Sequence, residues 1–532
     1  MAGLLRFATL AVAAGATLVL LLAWGSGRLS VWWPLLTGAL AAVGVADLIQ
    51  TRHSVLRNYP ILGHFRFLFE SIRPEIRQYL LESDTEAVPF SREQRAIVYQ
   101  RAKQELDKRP FGTRLDAYAA GFEWINHSLA PAPVSDHDFR VSIGGPACTR
   151  PYDASVFNIS AMSFGALSAN AIRALNRGAS LGRFAHDTGE GSISVHHREH
   201  GGDLIWEIGS GYFGCRDAQG RFDEARFVEN ALGEQVRMIE IKLSQGAKPG
   251  HGGVLPGPKV TPEIADARGV PPWTDCVSPA SHSAFATPIE LLGFVDRLRT
   301  LSGGKPTGFK LAIGHPWEWF AIAKAMRETG ITPDFIVVDG KEGGTGAAPA
   351  EFIDRLGTPM LDALRLVDDT LVGLRLRDRV RLGAAGKLTS GFDLARTMAL
   401  GADWCNSARG FMFALGCIQA MNCHTGRCPT GVATQDPLRQ RALVVPDKAQ
   451  RVFAFHQNTL RALAELVAAA GLEHPSQLRA DHIVRRVTPH EILPLSALHP
   501  PLQPGELLDG EADAPVFRTF WARARPDRFQ PA

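Results

Sequence analysis

Cysteine is scarce in this chain, with seven residues among 532. So few cysteines in a chain of this length exclude a secreted disulfide framework. Neither sign of charge dominates, because the formal net charge is only +3. No basic patch is interleaved with aromatic residues, so we expect no nucleic-acid partner. No G-x-G-x-x-G follows a first strand, which weakens a doubly wound dinucleotide-binding fold.

Three of the seven cysteines nevertheless stand close together. They occupy the Gly/Pro-rich stretch "GCIQAMNCHTGRCPTGVATQDP", which begins at Gly416 and ends at Pro437. Scattered cysteines are usually small buried apolar residues. A local group of three in a chain so poor in cysteine needs a separate explanation.

Two uncharged apolar runs open the chain, residues 7–24 and 29–46. Each is near the lower end of the roughly 17–25 residues that cross a bilayer as a helix. We therefore predict a transmembrane helical hairpin within residues 1–50; the alternative for the first run is a cleaved signal peptide. Basic residues flank the hairpin, such as Arg6, Arg57 and Arg66, whereas only Arg28 lies in its turn. This bias predicts an anchor in the inner membrane with the bulk of the protein in the cytoplasm.

Beyond the hairpin, three further regions are predicted. Residues 51–150 read as a helical collar or linker, and residues 441–532 read as a C-terminal helical extension with a Pro-rich tail. From about Phe157 to residue 440, short β-rich runs alternate with amphipathic helical segments, which indicates a parallel sheet. Seven such units are visible, and an eighth strand is placed near "LGTPML". The expected fold is α/β, a (β/α)₈ TIM barrel over residues 151–440, with a doubly wound sheet as the alternative.

Chemistry in such a barrel gathers where the strands end. Ser163, Glu190, Gln245 and Lys248 follow predicted strands. Lys310 lies inside the apolar strand "GFKLAIG". Burial of an unpaired ammonium is costly, so Lys310 must face a partner. A flavin ring is the favoured partner, because a cation beside its N1/O2 edge stabilises the reduced anion; a salt bridge within the barrel is the alternative.

Two Gly-rich turns follow the last two strands, "GAAGKLTSG" and "SARG". Turns at these places commonly bind a phosphate through backbone N–H groups. Gly386, Lys387, Ser407 and Arg409 are the candidate contacts. The pair of turns, in this order, favours FMN over a dinucleotide.

The sequence resembles the FMN- and iron–sulfur-containing synthase domain of glutamate synthase, in its membrane-anchored, single-domain form. The resemblance covers about residues 157–440. The motifs that carry it are "MSFGALS", "DTGEGS", "GSGYFG", "IKLSQGAKPGHGGVLPGPKV", "VVDGKEGGTGAAP", "GAAGKLTSGFD" and the cysteine stretch. It implies an FMN site that also includes Met162, Ser163, Gly343 and Gly344.

The resemblance also implies a role for the three cysteines. In the family a C-x₅-C-x₄-C turn holds a [3Fe–4S] cluster, and Cys417, Cys423 and Cys428 have that spacing. Thiolates are the usual ligands of iron–sulfur clusters, and three of them match three iron corners. A zinc site with His424 as fourth ligand and reduced structural thiols remain alternatives.

Substrate contacts follow from the same resemblance, which implies 2-oxoglutarate or its imine over the flavin. Gln245, Lys248 and Arg268 match its binding groups, with Glu190 nearby for proton transfer. The alternatives are a surface salt bridge for Arg268 and a helix cap for Glu190. His251 departs from the family, which usually has an acidic residue there.

The expected function is therefore an FMN- and [3Fe–4S]-dependent oxidoreductase that reduces a 2-imino acid, with Lys248, Glu190 and Lys310 as catalytic residues. Because no NAD fingerprint is present, an external donor such as a ferredoxin-like protein is expected to supply electrons through the cluster. Two alternatives stay open. One is an amino-acid or N-alkylamino-acid dehydrogenase that passes electrons to a membrane carrier, and the other is a non-catalytic membrane electron-transfer module.

Overall fold

The computed structural model describes residues 5–51, 53–83, 89–134, 136–510 and 512–532. The chain forms two compact units, Met1–Glu86 and Ala87–Ala532.

The first unit opens with two long helices, Ala8–Gly25 and Trp32–Ile49. Gly44 lies against Leu10, and Gly38 lies against Thr17, so the two helices pack antiparallel as a hairpin. Most of their apolar side chains are exposed. By length and composition both helices could cross a membrane. The predicted hairpin is therefore present, and its second helix begins and ends three residues later than the apolar run.

A buried carboxylate joins the hairpin to the rest of this unit. Asp47 accepts hydrogen bonds from the backbone N–H of Ile61 and from His64 Nε2, both at 2.9 Å. A buried charge needs such partners. The elements that follow are a short helix, a longer helix and a π-helical turn: Ser54–Asn58, Gly63–Ile76 and Arg77–Leu81.

The second unit is built around a closed barrel of eight parallel strands. In chain order they are β1 (Phe157–Ile159), β2 (His186–Asp187), β3 (Leu204–Ile208), β4 (Val236–Lys242), β5 (Thr307–Leu311), β6 (Phe335–Asp339), β7 (Arg381–Ala385) and β8 (Trp404–Ser407). Each strand pairs with its neighbours in sequence, and β8 pairs with β1. This confirms the (β/α)₈ prediction.

One of the eight strands was predicted in the wrong place. The strand that completes the set of eight is β3, the run "LIWEI"; the segment "LGTPML", where it was expected, is not a strand. In that segment Pro359 precedes the helix Met360–Gly373, and proline commonly stands at such a helix start. The strand β3 is buried on both faces and is short, so its sequence reads as an apolar run without alternation.

Helices surround the barrel. Those between and after its strands are Ala169–Gly182, Val195–Arg198, Glu224–Ala231, Pro262–Arg268, Pro288–Leu301, Pro316–Thr329, Ala350–Arg355, Met360–Gly373, Gly391–Ala399, Arg409–Leu415, Pro437–Gln440 and Val445–Ala469. Their starts are signalled in the sequence. Ser168, Thr287 and Ser390 each accept a backbone N–H from the first turn of a helix.

Side chains point alternately into and out of the barrel along each strand, so the inward ones form layers. An antiparallel hairpin, Arg140–Ile143 with Tyr152–Ser155, precedes β1. Its apolar side chains pack with Ile205, Met238 and Phe335, which lie near the starts of their strands. The amino end of the barrel is therefore closed by an apolar layer, and alternation along β3 and β4 places Glu207 and Glu240 on the same face as Ile205 and Met238, one layer further along.

The remaining elements lie outside the barrel. They are the helix Arg92–Lys103, the strand pair Val254–Leu255 and Cys276–Val277, and the short helices Leu495–Leu498, Glu506–Asp509 and Pro515–Phe520. Short 3₁₀ turns lie at Leu5–Phe7, Gly257–Lys259, Arg377–Arg379, Cys423–Thr425, Pro475–Gln477 and Ala480–His482. The strand Glu123–Ile125 pairs with Ile483–Thr488, which also pairs with Glu491–Pro494. The C-terminal extension therefore contains strands as well as the predicted helices.

Candidate active site

A cavity of about 380 Å³ opens where the carboxyl ends of the barrel strands meet. Every flavin or substrate residue expected from the sequence lines it: Met162, Ser163, Glu190, Gln245, Lys248, Arg268, Lys310, Gly343, Gly344, Gly386, Lys387, Ser407 and Arg409. Cys423 lines it as well. The volume is in the range of ligand pockets, roughly 300–1,000 Å³. Segments far apart in sequence thus meet at one site.

Three cations surround one carboxylate at the mouth of this cavity. Glu190 forms an ion pair with Lys242 at 3.2 Å, and Lys248 and Arg268 also act on it electrostatically. We call these four residues the cationic cluster. Burial alone would raise the pKa of Glu190, but the three cations lower it to about 2. Lys242 was not expected from the sequence, although it lies two residues after Glu240 in an apolar strand.

Arg268 ends the helix Pro262–Arg268 and is buried, with 5% of its surface exposed. Its Nη2 donates to the backbone oxygen of Phe164 at 3.0 Å, and its guanidinium lies 5.1 Å from the centre of the Phe213 ring. Its Nε–H has no hydrogen-bond partner in the described part of the chain. The alternative of a surface salt bridge is therefore wrong, and the residue keeps a free donor.

The other expected substrate residues differ in their surroundings. Gln245 Nε2 donates to the backbone oxygen of Gly344 at 3.1 Å. Burial and the neighbouring Lys242 lower the pKa of Lys248. His251 is exposed, contacts the oxygen of Gly252 and does not line the cavity. The histidine that stands where the family usually has an acidic residue therefore does not change the lining of the cavity.

Glu190 does not cap a helix. The helix that follows it begins at Val195, and Ser194 is its N-cap residue. The helix-cap alternative is therefore wrong, and the ion pair with Lys242 accounts for the Glu190 carboxylate instead.

One ammonium inside the barrel is surrounded by carboxylates. Lys310 forms an ion pair with Glu207 and lies 3.4 Å from Glu240 Oε1. Asp187 and Asp339 also act on it electrostatically. We call these five residues the acidic cluster. The salt bridge that was the alternative for Lys310 is thus present, yet Lys310, Glu207 and Asp339 also line the cavity. The four carboxylates were not expected from the sequence.

Two turns that line the cavity, one with Gly344 and one with Gly386, have glycine where any side chain would collide with a neighbouring residue. A Cβ on Gly344 would lie 2.7 Å from Arg409 Nε, and a Cβ on Gly386 would lie 2.9 Å from the Cβ of Met360. Lys387 has the left-handed backbone that a tight turn requires, with φ of 52°. Arg409 Nη2 donates to the oxygen of Thr345 at 2.6 Å, so it links two of these turns.

The cysteine turn lies beside the same cavity. All three of its cysteines are free; Cys417 and Cys428 are buried and Cys423 is half-buried. Arg409 Nη1 lies 3.9 Å from Cys423 Sγ. Burial alone would raise the pKa of Cys428, but the Thr430 hydroxyl and backbone N–H groups that follow lower it. This environment favours a thiolate at Cys428, whereas burial raises the pKa of Cys417.

The cavity lies at the carboxyl end of the barrel and is lined by glycine turns, cations and a thiol. This is the place and the kind of lining that active sites of (β/α)₈ enzymes have. A family model described as the conserved region in glutamate synthase matches residues 150–473. The chain therefore belongs to the glutamate synthase family of oxidoreductases.

Its relatives agree with this assignment. The chain is 38% identical over 487 residues to a glutamate synthase large subunit-like protein, YerD, of Bacillus subtilis, across 84% of this chain and 92% of the relative. It is 35% identical over 338 residues to the archaeal-type glutamate synthase (NADPH) of Thermotoga neapolitana, across 62% of each. It spans only 20% of the glutamate synthase (NADPH) large chain of Bacillus subtilis.

Solved structures resemble the chain more distantly. A mutant of flavocytochrome b2 with pyruvate bound aligns with 84% of this chain at 11% identity and a TM-score of 0.40. A likeness at this level says nothing about ligands.

Proposed function

We propose that this chain is an FMN- and [3Fe–4S]-dependent oxidoreductase of the glutamate synthase type. Its reaction is the reduction of a 2-imino acid, formed from 2-oxoglutarate and an amine, to glutamate or an N-substituted glutamate. The observation that carries the proposal is the cavity itself, which brings the cationic cluster, Lys310, the Gly-rich turns and Cys423 together.

The cavity residues fit FMN. Gly344 and Gly386 are positions where a Cβ would collide with the protein, so the wall there is bare backbone. Lys387 and Arg409 supply positive charge near these turns, which suits a phosphate. Lys310 supplies a cation deeper in the cavity, which suits the pyrimidine edge of a flavin. FMN, when bound, would supply hydride transfer to C2 of the substrate.

The cationic cluster suits a dicarboxylate. Three cations face the single carboxylate of Glu190, which leaves a surplus of positive charge at the mouth of the cavity. A ligand with two carboxylates would balance that surplus. Arg268 is buried and keeps a free Nε–H, so it can hold one carboxylate through a fork of hydrogen bonds. Lys248 can bind the second carboxylate or polarise C2.

Glu190 is the candidate proton-transfer residue. With its pKa held at about 2 it is ionised at neutral pH in the ligand-free chain, and it is then a poor proton donor. A bound dianion would neutralise the field of Lys248 and Arg268, and the pKa of Glu190 would rise toward its ordinary range. Substrate binding would therefore prepare Glu190 to hold the proton that the imine nitrogen needs.

The cysteine turn fits an iron–sulfur cluster by its donor set. Cys417, Cys423 and Cys428 are free thiols within one turn, and the surroundings of Cys428 favour a thiolate. Such a cluster would pass single electrons between an external donor and the cavity that Cys423 lines. Met421, His424 and Arg427 are exposed there, which leaves room for a ferredoxin-like donor to approach.

Metal analysis tests the cluster. Full-length protein purified without oxygen should contain about three irons per chain, following the expected one thiolate per iron. The oxidised cluster should give an electron paramagnetic resonance signal that mild reduction removes. Cys423→Ser should abolish this signal and leave FMN bound. One zinc per chain with no iron would contradict the cluster and favour His424 as a fourth ligand.

A titration tests the substrate class. 2-Oxoglutarate should perturb the flavin absorbance spectrum of the full-length protein in a saturable way, and glutarate should compete with it. An unchanged spectrum with 2-oxoglutarate, together with flavin reduction by an N-alkylamino acid, would favour the dehydrogenase alternative instead. No response to either ligand would favour the electron-transfer alternative.

We propose further that the N-terminal hairpin anchors the chain in the inner membrane, with the catalytic domain in the cytoplasm. Support comes from two exposed apolar helices of membrane-spanning length and from the arginines that flank them. The full-length chain should sediment with membranes and need detergent for extraction. A C-terminal reporter that is active only in the periplasm would contradict this orientation.

A further inference from the structure

The barrel interior holds more carboxylates than its single ammonium can balance. Asp187, Glu207 and Glu240 each place a carboxylate oxygen within 4.8 Å of the others. All three are at most 1% exposed, and Lys310 is 4% exposed. Like charges at such distances cannot all ionise in a medium of low dielectric constant. Some of the carboxyl groups must therefore hold a proton.

The charged groups around this site are confined to one side of the barrel. Asp187, Glu207, Glu240, Lys310 and Asp339 come from the consecutive strands β2 to β6. Next to them toward solvent lies the cationic cluster, whose Lys242 pairs with Glu190 and also acts electrostatically on Asp339. The strands β1, β7 and β8 contribute no acidic residue and no lysine. Lys242 of β4 acts on Asp339 alone among the four carboxylates, so Asp187, Glu207 and Glu240 have only Lys310 as a cation at close range.

Glu240 is the member of the acidic cluster with the weakest hydrogen bonding. It is fully buried, and neither of its carboxylate oxygens has a hydrogen-bond partner in the described part of the chain. Lys310 lies 3.4 Å from Oε1 and forms its closer ion pair with Glu207. Asp187 Oδ1 accepts one backbone N–H, from Gly189 at 2.9 Å. Lys310 is thus only a long and shared donor to Glu240, so an ionised Glu240 would be costly, whereas a protonated Glu240 can donate to Asp187, with which it interacts through its side chain.

We propose that Asp187 and Glu240 share one proton at neutral pH and form a buried proton-storage site that opens on the cavity through Glu207 and Lys310. The proton leaves one carboxyl oxygen of the pair and is taken up by the Glu207 carboxylate, so the charge of the cluster is conserved. Glu207 then releases the proton to water in the cavity that it lines, and one proton taken up from that water restores the pair.

Electrostatics agree with this arrangement. Burial, and then the Glu207 carboxylate, raise the pKa of Asp187 to about 7. Burial and Asp187 raise the pKa of Glu240 well above its ordinary value. Burial alone would lower the pKa of Lys310, but Glu207 and Glu240 raise it well above the ordinary value, so Lys310 remains an ammonium.

Asp187, Glu207 and Glu240 are spaced like the ligands of a metal ion, but the Lys310 ammonium lies among them. The Lys310 ammonium contacts both Glu207 and Glu240, in the position that a divalent cation would take among these oxygens. A cation and an ammonium cannot share that position. The proton is therefore the ligand that this site can still accept. This inference rests on the barrel interior alone, so it does not depend on the proposed substrate.

Infrared difference spectroscopy of the full-length protein tests the proposal. A protonated carboxyl group in an apolar setting has a carbonyl stretch that carboxylates lack. The native protein should show this band at neutral pH and lose it as the pH rises. Asp187→Asn and Glu240→Gln should each remove or shift the band, whereas Glu190→Gln, which replaces an ionised carboxylate at the mouth, should leave it in place.

Two further measurements need no substitution. Labelling with ¹³C-aspartate or ¹³C-glutamate should shift the band in the native chain, even if the variants fail to fold. In ²H₂O the band should shift before the amides of the barrel strands exchange, because the site opens on the cavity. Absence of the band at neutral pH, a band that persists in both variants, or a band that shifts only with the strand amides would overturn the proposal.

Discussion

The two charged clusters of this barrel are unbalanced in opposite directions. In the cationic cluster three cations face one carboxylate, and in the acidic cluster four carboxylates face one ammonium. The cationic cluster lies at the mouth of the cavity, where a dissolved anion can reach it. The acidic cluster lies above an apolar layer inside the barrel, where only a proton is small enough to correct the charge. An imbalance at the mouth thus predicts a ligand, and an imbalance inside predicts a protonated group.

Removal of the only ammonium in the acidic cluster should have the largest effect. Lys310→Met leaves Glu207 and Glu240 without their cation, and breaking a buried ion pair from one side costs about 3–5 kcal/mol of unfolding free energy. FMN binding should weaken as well, or the bound flavin should become harder to reduce. Denaturant unfolding and flavin content measure the two effects.

Two variants serve as controls for that loss. Lys108→Met changes an exposed lysine and should leave stability almost unaltered. The double change Lys310→Met with Glu207→Gln removes both partners and should be more stable than Lys310→Met alone. The outcome that contradicts both roles is a Lys310→Met protein with the same unfolding midpoint as the native chain and with unchanged flavin content and flavin reduction potential. Lys310 would then neither stabilise the fold nor act on the flavin.

Removal of a cation from the cationic cluster should affect ligand binding more than stability. Arg268→Ala should weaken 2-oxoglutarate binding by about 2–5 kcal/mol, the cost of truncating one partner of a buried charge pair. Arg268→Lys should recover little, because the fork geometry is lost. The flavin titration measures both. His251→Gln, outside the cavity, is the matched control and should bind normally; equal affinity in all four proteins would exclude Arg268 from the site.

The two clusters should also respond to pH in opposite senses. The pKa of Asp187 rises from 3.8 to about 7 on folding, so the folded chain holds an extra proton between these values. Stability contributed by that group is full below 3.8 and is lost as the pH rises toward 7. Asp187→Asn should flatten this part of the melting-temperature profile. A profile unchanged by the substitution would mean that Asp187 is ionised in the native chain.

Glu190 should act in a separate and smaller window. Its pKa falls from 4.5 to about 2 on folding, so its contribution is present above 4.5 and is lost as the pH falls toward 2. Lys242→Gln removes one of three cations and should raise the pKa of Glu190 only part of the way back. The infrared carboxylate band of Glu190, identified by its loss in Glu190→Gln, measures this change; no movement in Lys242→Gln would show that the ion pair does not control the carboxylate.

The sequence predicts three residues of the cationic cluster but not Lys242, and of the acidic cluster it predicts only Lys310. Lys310 was recognised because a lysine in an apolar strand is conspicuous. Glu207 and Glu240 obey the same rule in "LIWEI" and "MIEIK", but β3 was not recognised as a strand, so its inward carboxylate had no place in the barrel. A strand that is buried on both faces lacks the alternation of polar and apolar residues by which a strand is recognised in a sequence.

Long-range folding explains the rest. Arg268 came from the family resemblance alone, since no local pattern indicates that an insertion after β4 folds back to place Arg268 in the cavity. The contact between Arg409 and Cys423 likewise joins a helix start to a turn fourteen residues later. Residue spacing predicts strands and ligand sets, but the direction of a side chain in such a loop depends on packing.

The most direct measurement of the proposed function is a single turnover without oxygen. Full-length protein would be reduced at its flavin and mixed with 2-oxoglutarate and ammonium, while flavin absorbance and amino-acid product are followed. The account predicts that the flavin is reoxidised only when both are present, with one glutamate formed for each flavin, and that Arg268→Ala slows this step strongly. A flavin that stays reduced with 2-oxoglutarate and every amine tested, in protein that contains both FMN and iron, would contradict it.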